Sequence, residues 1–180
     1  MVYVLLGTGF EEIEALTPVD LLRRAGVEVR TVGLNGKIVY GGHGIGVECD
    51  CTIDGLDASE GEMIVLPGGL GGVASIRGCA AALEAVKNVY DRGGYVAAIC
   101  AGPTVLAELG LLTGVRATCY PGQIPHMKDA QVVEHAACIT DGRIITGTSA
   151  GTAVSFALAL IEALKGPEAA RVIADQIVIR

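Results

Sequence analysis

The 180-residue chain has no tryptophan, and its aromatic share is only 4%. Platforms for stacking bases are therefore missing. Basic residues are also scarce: 13 Lys and Arg face 20 Asp and Glu, for a formal net charge of −7. An acidic surface with no Lys/Arg cluster repels phosphate backbones, so nucleic acid is disfavoured as a partner. No apolar run is long enough to cross a bilayer, so no membrane association is expected. The apolar "MVYVLLG" (1–7) lacks a basic leader and soon meets the acidic "EEIE" (11–14). It does not read as a targeting segment, and a cytoplasmic location is expected. Nothing suggests secretion, so the six cysteines (49, 51, 79, 100, 119 and 138) read as reduced thiols. Cys49 and Cys51 lie two apart, not at C-x-x-C spacing, and the only histidines are His43, His126 and His135. A structural zinc site is disfavoured, and no metal or cofactor is expected.

Apolar residues, by contrast, make up 51% of the chain, enough for a sizeable core in one domain over residues 1–180. "VYVLLG" (2–7), "VEVRTVGL" (27–34), "MIVLPGG" (63–69) and "YVAAIC" (95–100) read as strands. Helices are predicted over 11–25, 79–92, 101–112, 149–166 and 167–175. In the first, Ile13, Leu16, Leu21 and Leu22 form the apolar stripe, Gly26 closes the end, and Pro18 should kink or break it. Residues 36–54 suggest a small hairpin at a sheet edge, and "RATCYP" (116–121) a short strand. "CITDGRIITG" (138–147) has the Asp-Gly signal of another hairpin. Alternating strands and helices argue for an α/β fold, a mostly parallel sheet with helices on both faces. Chemistry in such folds gathers where strands end and helices begin. Three stretches qualify: 7–14, 67–71 and 100–103.

"YVAAICAGP" (95–103) ends a buried strand on a thiol and turns at once. Most strand cysteines are packing, the role expected of Cys79, Cys119 and Cys138. Cys100 is placed differently. Ala101 and Gly102 permit a tight bend, and Pro103 suits a first helical turn. A thiol there would face unpaired N–H groups, which favour thiolate and could hold a substrate oxyanion. Glu11 and Glu12 suit a helix N-terminus, whereas Glu14 lies deeper, where burial would keep it protonated. It could then donate a hydrogen bond to the sulfur.

Four segments, "GFEEIEALTPVDLLRRAG" (9–26), "VLPGG" (65–69), "AAICAGPTVLAELGLL" (97–112) and "FALALIEALKG" (156–166), resemble the ThiJ/PfpI superfamily. Within it they look most like the parkinsonism-associated protein deglycase branch. The resemblance implies a flavodoxin-like three-layer sandwich that forms a homodimer. It implies Cys100 as nucleophile at a strained elbow, Glu14 as its buried protonated partner, and Gly69 and Ala101 N–H groups as the oxyanion pocket, with Gly68 beside them. It also implies cofactor-free conversion of 2-oxoaldehydes to 2-hydroxy acids, or repair of glycated protein. The alternative is a stress-protective, chaperone-like protein whose cysteine is oxidised. Some relatives carry His in a T-x-H-P-like segment near the thiol. Here "TCYPG" puts Tyr120 there, a hydrogen-bond donor but a poor base. Ala101 stands where the peptidase-like branch has His, which argues against a protease. His126 would reach the pocket only if its loop folded back.

Two other motifs invite rival readings. "GTSAG" (147–151) matches the hydrolase elbow G-x-S-x-G, but no His follows Ser149, so a helix cap is the better reading. "GLGGVA" (69–74) weakly matches a dinucleotide fingerprint, yet it is not in the first strand-helix unit. An oxyanion turn over Pro67–Gly69 explains those glycines better. Arg23 and Arg24 read as a solvated helix end.

Overall fold

The computed structural model describes residues 1–179. Its strands are β1 (Val2–Leu6), β2 (Val29–Gly33), β3 (Ile38–Tyr40), β4 (Gly46–Glu48), β5 (Cys51–Thr52), β6 (Met63–Leu66), β7 (Tyr95–Ile99), β8 (Arg116–Ala117), β9 (Gln131–Val132), β10 (Cys138–Asp141) and β11 (Ile144–Gly147). The helices are α1 (Glu12–Arg24), α2 (Leu70–Arg77), α3 (Ala80–Asp91), α4 (Pro103–Glu108), α5 (Ala153–Lys165) and α6 (Pro167–Gln176). Seven strands form one sheet in the order β10-β11-β7-β6-β1-β2-β5. All its neighbours pair in parallel except β10 with β11. This is the flavodoxin-like order, with its switch point between β1 and β6.

The two-residue period of a strand sorts β1 cleanly. Val2, Val4 and Leu6 join one core with side chains of α1, α5 and α6. Tyr3 and Leu5 join the other, with α2, α3 and α4. The three layers follow from that alternation. They also bring the C-terminal ends of β1, β6 and β7 to one rim, where all three stretches singled out above converge.

Several local expectations change. Pro18 does not break α1, which runs continuously from Glu12 to Arg24. Pro18 is buried with Ala15, Val19 and Leu22, and packing of that face outweighs the single backbone bond a proline removes. Ile13 is outside the buried stripe, at 54% exposure. The 36–54 region divides: β3 and β4 form a separate two-stranded sheet, while β5 edges the main one. The strand over 116–121 shrinks to β8, which pairs with β9. The helix over 101–112 contracts to α4, and a 3-10 turn over Ala150–Thr152 precedes α5. Helix α2 gave no clear sequence signal, because Gly71 and Gly72 in its first turn lower its propensity. Close packing requires one of them: a Cβ on Gly72 would lie 2.7 Å from the Phe10 Cα.

Candidate active site

Cys100 follows the last residue of β7 with φ +65°, the left-handed region that non-glycine residues seldom enter. Two backbone bonds hold it there: its N–H donates to the Gly147 carbonyl at 3.0 Å, and its carbonyl accepts from Tyr120 N–H at 2.9 Å. The elbow is thus strained and pinned on both sides, at a cost of about 1–3 kcal/mol.

Glu14, 1% exposed, lies behind the thiol. Its Oε2 accepts from Gly68 N–H at 2.9 Å, and its carboxyl and the Cys100 thiol share a hydrogen bond. Gly68 has no room for a side chain. A Cβ there would lie 2.4 Å from Glu14 Oε2 and 3.1 Å from the sulfur. Gly69 has φ +83°, and a Cβ on it would meet the Gly9 carbonyl at 2.4 Å. The Gly69 and Ala101 N–H groups are directed to the Cys100 sulfur.

The expected depression of the thiol pKa is overturned. Burial, the Glu14 charge and the Glu14 hydrogen bond push Cys100 up to about 12, against the pull of the two N–H groups. The mouth of α4 gives little help, because Gly102, Thr104 and Val105 N–H groups are spent on the carbonyls of Ile99, Ala101 and Gly102. Burial also raises Glu14, to about 7, with the nearby Glu11 charge reinforcing it and the Cys100 and Gly68 hydrogen bonds opposing it. A carboxyl tuned to neutral pH can both take up and release a proton under working conditions. The sulfur therefore rests as a protonated thiol beside the Glu14 carboxyl, rather than as a preformed thiolate.

Above the sulfur opens a cleft of about 190 Å³, lined by Glu11, Gly69, Leu70, Cys100, Ala101, Tyr120 and Gln123. A larger groove of about 570 Å³ runs past Ile53, Ala85 and Arg92, but no cysteine lines it. Cys100, Gly69, Ala101 and Tyr120 thus come together as the sequence suggested, with Glu14 and Gly68 beneath them. His126 is exposed, outside the cleft lining. Ser149 forms a capping box with Thr152, which supports its reading as a cap. Arg23 is more than a solvated end: it donates to Asp50 at 2.7 Å.

Sequence reasoning missed Leu70 and Gln123, for which no motif gave a signal. It also missed Glu12, which is buried and accepts from His43 through both N–H and Nδ1 at 2.7 Å each. Burial alone would raise Glu12, but the His43 bonds outweigh it and hold it below the usual carboxylate range. Among the described residues, the cysteines form no cluster of three or more metal-ligating side chains. No helix there is long and apolar enough to cross a membrane.

The model of the DJ-1/PfpI family matches residues 1–163. This chain belongs to the DJ-1/PfpI family. It is 34% identical to Protein dj-1beta of Drosophila melanogaster over 178 residues, covering 98% of this chain and 95% of that protein. It is 33% identical to a Caenorhabditis elegans protein named glutathione-independent glyoxalase DJR-1.2, covering 88% and 84%. The solved structure of oxidised Toxoplasma gondii DJ-1 superposes with a TM-score of 0.94 at 35% identity, covering 98% of this chain and 97% of that one.

Proposed function

We propose that this DJ-1/PfpI member is a cofactor-independent enzyme that converts 2-oxoaldehydes to 2-hydroxy acids through Cys100. The observation that carries this reading is the Glu14 carboxyl, raised to about 7, against the Cys100 thiol at the floor of a cleft. The glyoxalase name of the worm relative agrees with it. Glu14 carboxylate accepts the thiol proton as sulfur adds to the aldehyde carbon, giving a hemithioacetal. The Gly69 and Ala101 N–H groups, turned toward the sulfur in the free protein, stabilise the oxyanion that forms. Glu14 returns the thiol proton to that oxyanion, then takes the proton from the former aldehyde carbon and delivers it to the neighbouring ketone carbon, while the hydroxyl proton passes to the ketone oxygen. The product is a thioester of the 2-hydroxy acid. Water cleaves it, releasing the acid and restoring the thiol, so the reaction consumes only aldehyde and water. Tyr120 borders the cleft and donates a hydrogen bond to the bound substrate. Repair of glycated protein side chains would use the same addition step on a larger substrate.

Homodimerisation is part of the proposal. Ile13 on α1 and Ile38, Tyr40 and Ile45 of the β3–β4 hairpin are each more than half exposed. The hairpin is tied to the start of α1 by Gly9 N–H to Tyr40 and Gly42 N–H to Phe10. Together they form an apolar face suited to a second copy.

The test is formation of lactate from methylglyoxal, with its enantiomers resolved and buffer-catalysed loss subtracted. Cys100→Ser should abolish it. Unchanged lactate formation in Cys100→Ser would refute the enzyme reading. The second reading is oxidation of Cys100, favoured by the oxidised form in which the Toxoplasma relative was solved. It predicts no lactate and an oxygen mass gain on Cys100 under mild peroxide.

A further inference from the structure

We infer that the cleft above Cys100 selects aldehydes carrying an apolar, aryl-sized substituent, and that Leu70 and Tyr120 determine this specificity. The inference rests on the aldehyde-directed reading above and names the substrate class within it.

Leu70 is 71% exposed, the highest value among the large apolar residues, and Tyr120 is 49% exposed. A single exposed leucine needs no explanation, but two large apolar side chains converging on one thiol do. They come from different parts of the chain. Leu70 is the first residue of α2, while Val73 and Ile76 of the same helix fill the core. Tyr120 precedes the 3-10 turn at Pro121, and its N–H is bonded to the Cys100 carbonyl. The backbone at both positions is therefore fixed relative to the sulfur.

The size of the space agrees. The cleft, about 190 Å³, has room for more than a methyl group beside the reacting carbons. A methyl-bearing 2-oxoaldehyde leaves much of that volume wet and both side chains uncovered. An aryl substituent displaces the water and covers them. The charge agrees as well. Glu11 is the only charged residue in the lining, so substituents bearing carboxylate or phosphate are repelled.

The experiment compares kcat/KM for phenylglyoxal and methylglyoxal in the wild type, Leu70→Asn, Tyr120→Ser and the double variant, with Cys100→Ser as the blank. The wild type should favour phenylglyoxal on the order of tenfold or more, within the range that one hydrophobic pocket supplies. Each single variant should lower that ratio, mainly through KM for phenylglyoxal, and the double variant should bring it near parity. A second arm reads the cleft without turnover. Site-resolved mass spectrometry follows Cys100 labelling by N-phenylmaleimide and N-methylmaleimide, each normalised to a small free thiol. A phenyl preference that falls in Leu70→Asn, in protein that turns over neither aldehyde, keeps the specificity and removes the enzyme reading. Equal normalised labelling and equal kcat/KM in the wild type overturn the inference. So does a preference that both substitutions leave intact.

Discussion

Glu12 and Glu14 lie two residues apart in the first turn of α1, and both are at least 95% buried. Their pKa values nevertheless move in opposite directions. Glu12 spends both oxygens on His43, a group that can carry positive charge, and falls below its ordinary range. Glu14 has a thiol and the backbone N–H groups of Gly68 and Ala150 for company, none of them charged, and rises to about 7. Burial penalises both charges, and the partner decides the outcome. One carboxylate serves as a structural clasp for the β3–β4 hairpin. The other is turned to the Cys100 thiol.

The sharpest test of this contrast is activity. Glu14→Gln should lower turnover on the order of 10²–10⁴-fold, the usual worth of a positioned general base. Glu12→Gln should change it far less, and equal losses in a lactate assay would erase the distinction. Turnover should rise with pH through about 7 as Glu14 ionises, and that inflection should vanish in Glu14→Gln.

Next in size is Gly68→Ala. The added methyl group collides with both the Glu14 carboxyl and Cys100. A cost of roughly 1–3 kcal/mol is expected for such overpacking. Calorimetry should register it as a Tm lower by roughly 2–4 °C per kcal/mol, alongside loss of activity. An unshifted Tm would mean that the thiol and carboxyl can move apart freely.

Smaller still is the effect of Glu12→Gln on stability, because His43 is largely exposed and solvent screens the pair. Its pH dependence carries the contrast. Glu12 is lowered, so its contribution is present above the ordinary 4.5 and lost as pH falls through its folded value. His43 is raised, so its contribution is full below the ordinary 6.5 and lost as pH rises through its folded value. The Tm gap between wild type and Glu12→Gln should therefore be widest between pH 4.5 and 6.5. Glu14 behaves the other way for a carboxylate. Its raised value makes the folded state bind the proton more tightly, a contribution present below 4.5 and lost as pH rises through about 7. Glu14→Gln should thus gain on the wild type with rising pH. Parallel Tm profiles for the two variants would contradict the opposite shifts.

The sheet, the strand-end rim and the juxtaposition of Cys100 with Glu14 were legible in the sequence. The first two are encoded locally, by apolar runs and by C-A-G-P and P-G-G turn chemistry, whereas the meeting of Cys100 with Glu14 was implied by the family resemblance. Helix α2 was hidden because its glycines serve contact with Phe10 rather than helix propensity. The thiol's protonation was misread because a helix mouth was credited with N–H groups that the first turn of α4 uses internally. Glu12 looked like helix-end charge, since its partner His43 comes from a hairpin 31 residues away. Nothing in "GGLGG" indicates that Leu70 stays uncovered. Burial and pairing across the chain are tertiary facts, and local pattern is silent on them.

The unusual backbone at residue 100 is kept in place by tethers outside its own segment, one from the end of β11 and one from the loop after β8. If those tethers fray before the sheet melts, the residue can relax into ordinary extended geometry and carry the sulfur away from its carboxyl. Gentle heating would then produce molecules that keep their circular dichroism and lose their chemistry. Shelf life would depend on the hold of Gly147 and Tyr120, not on the core.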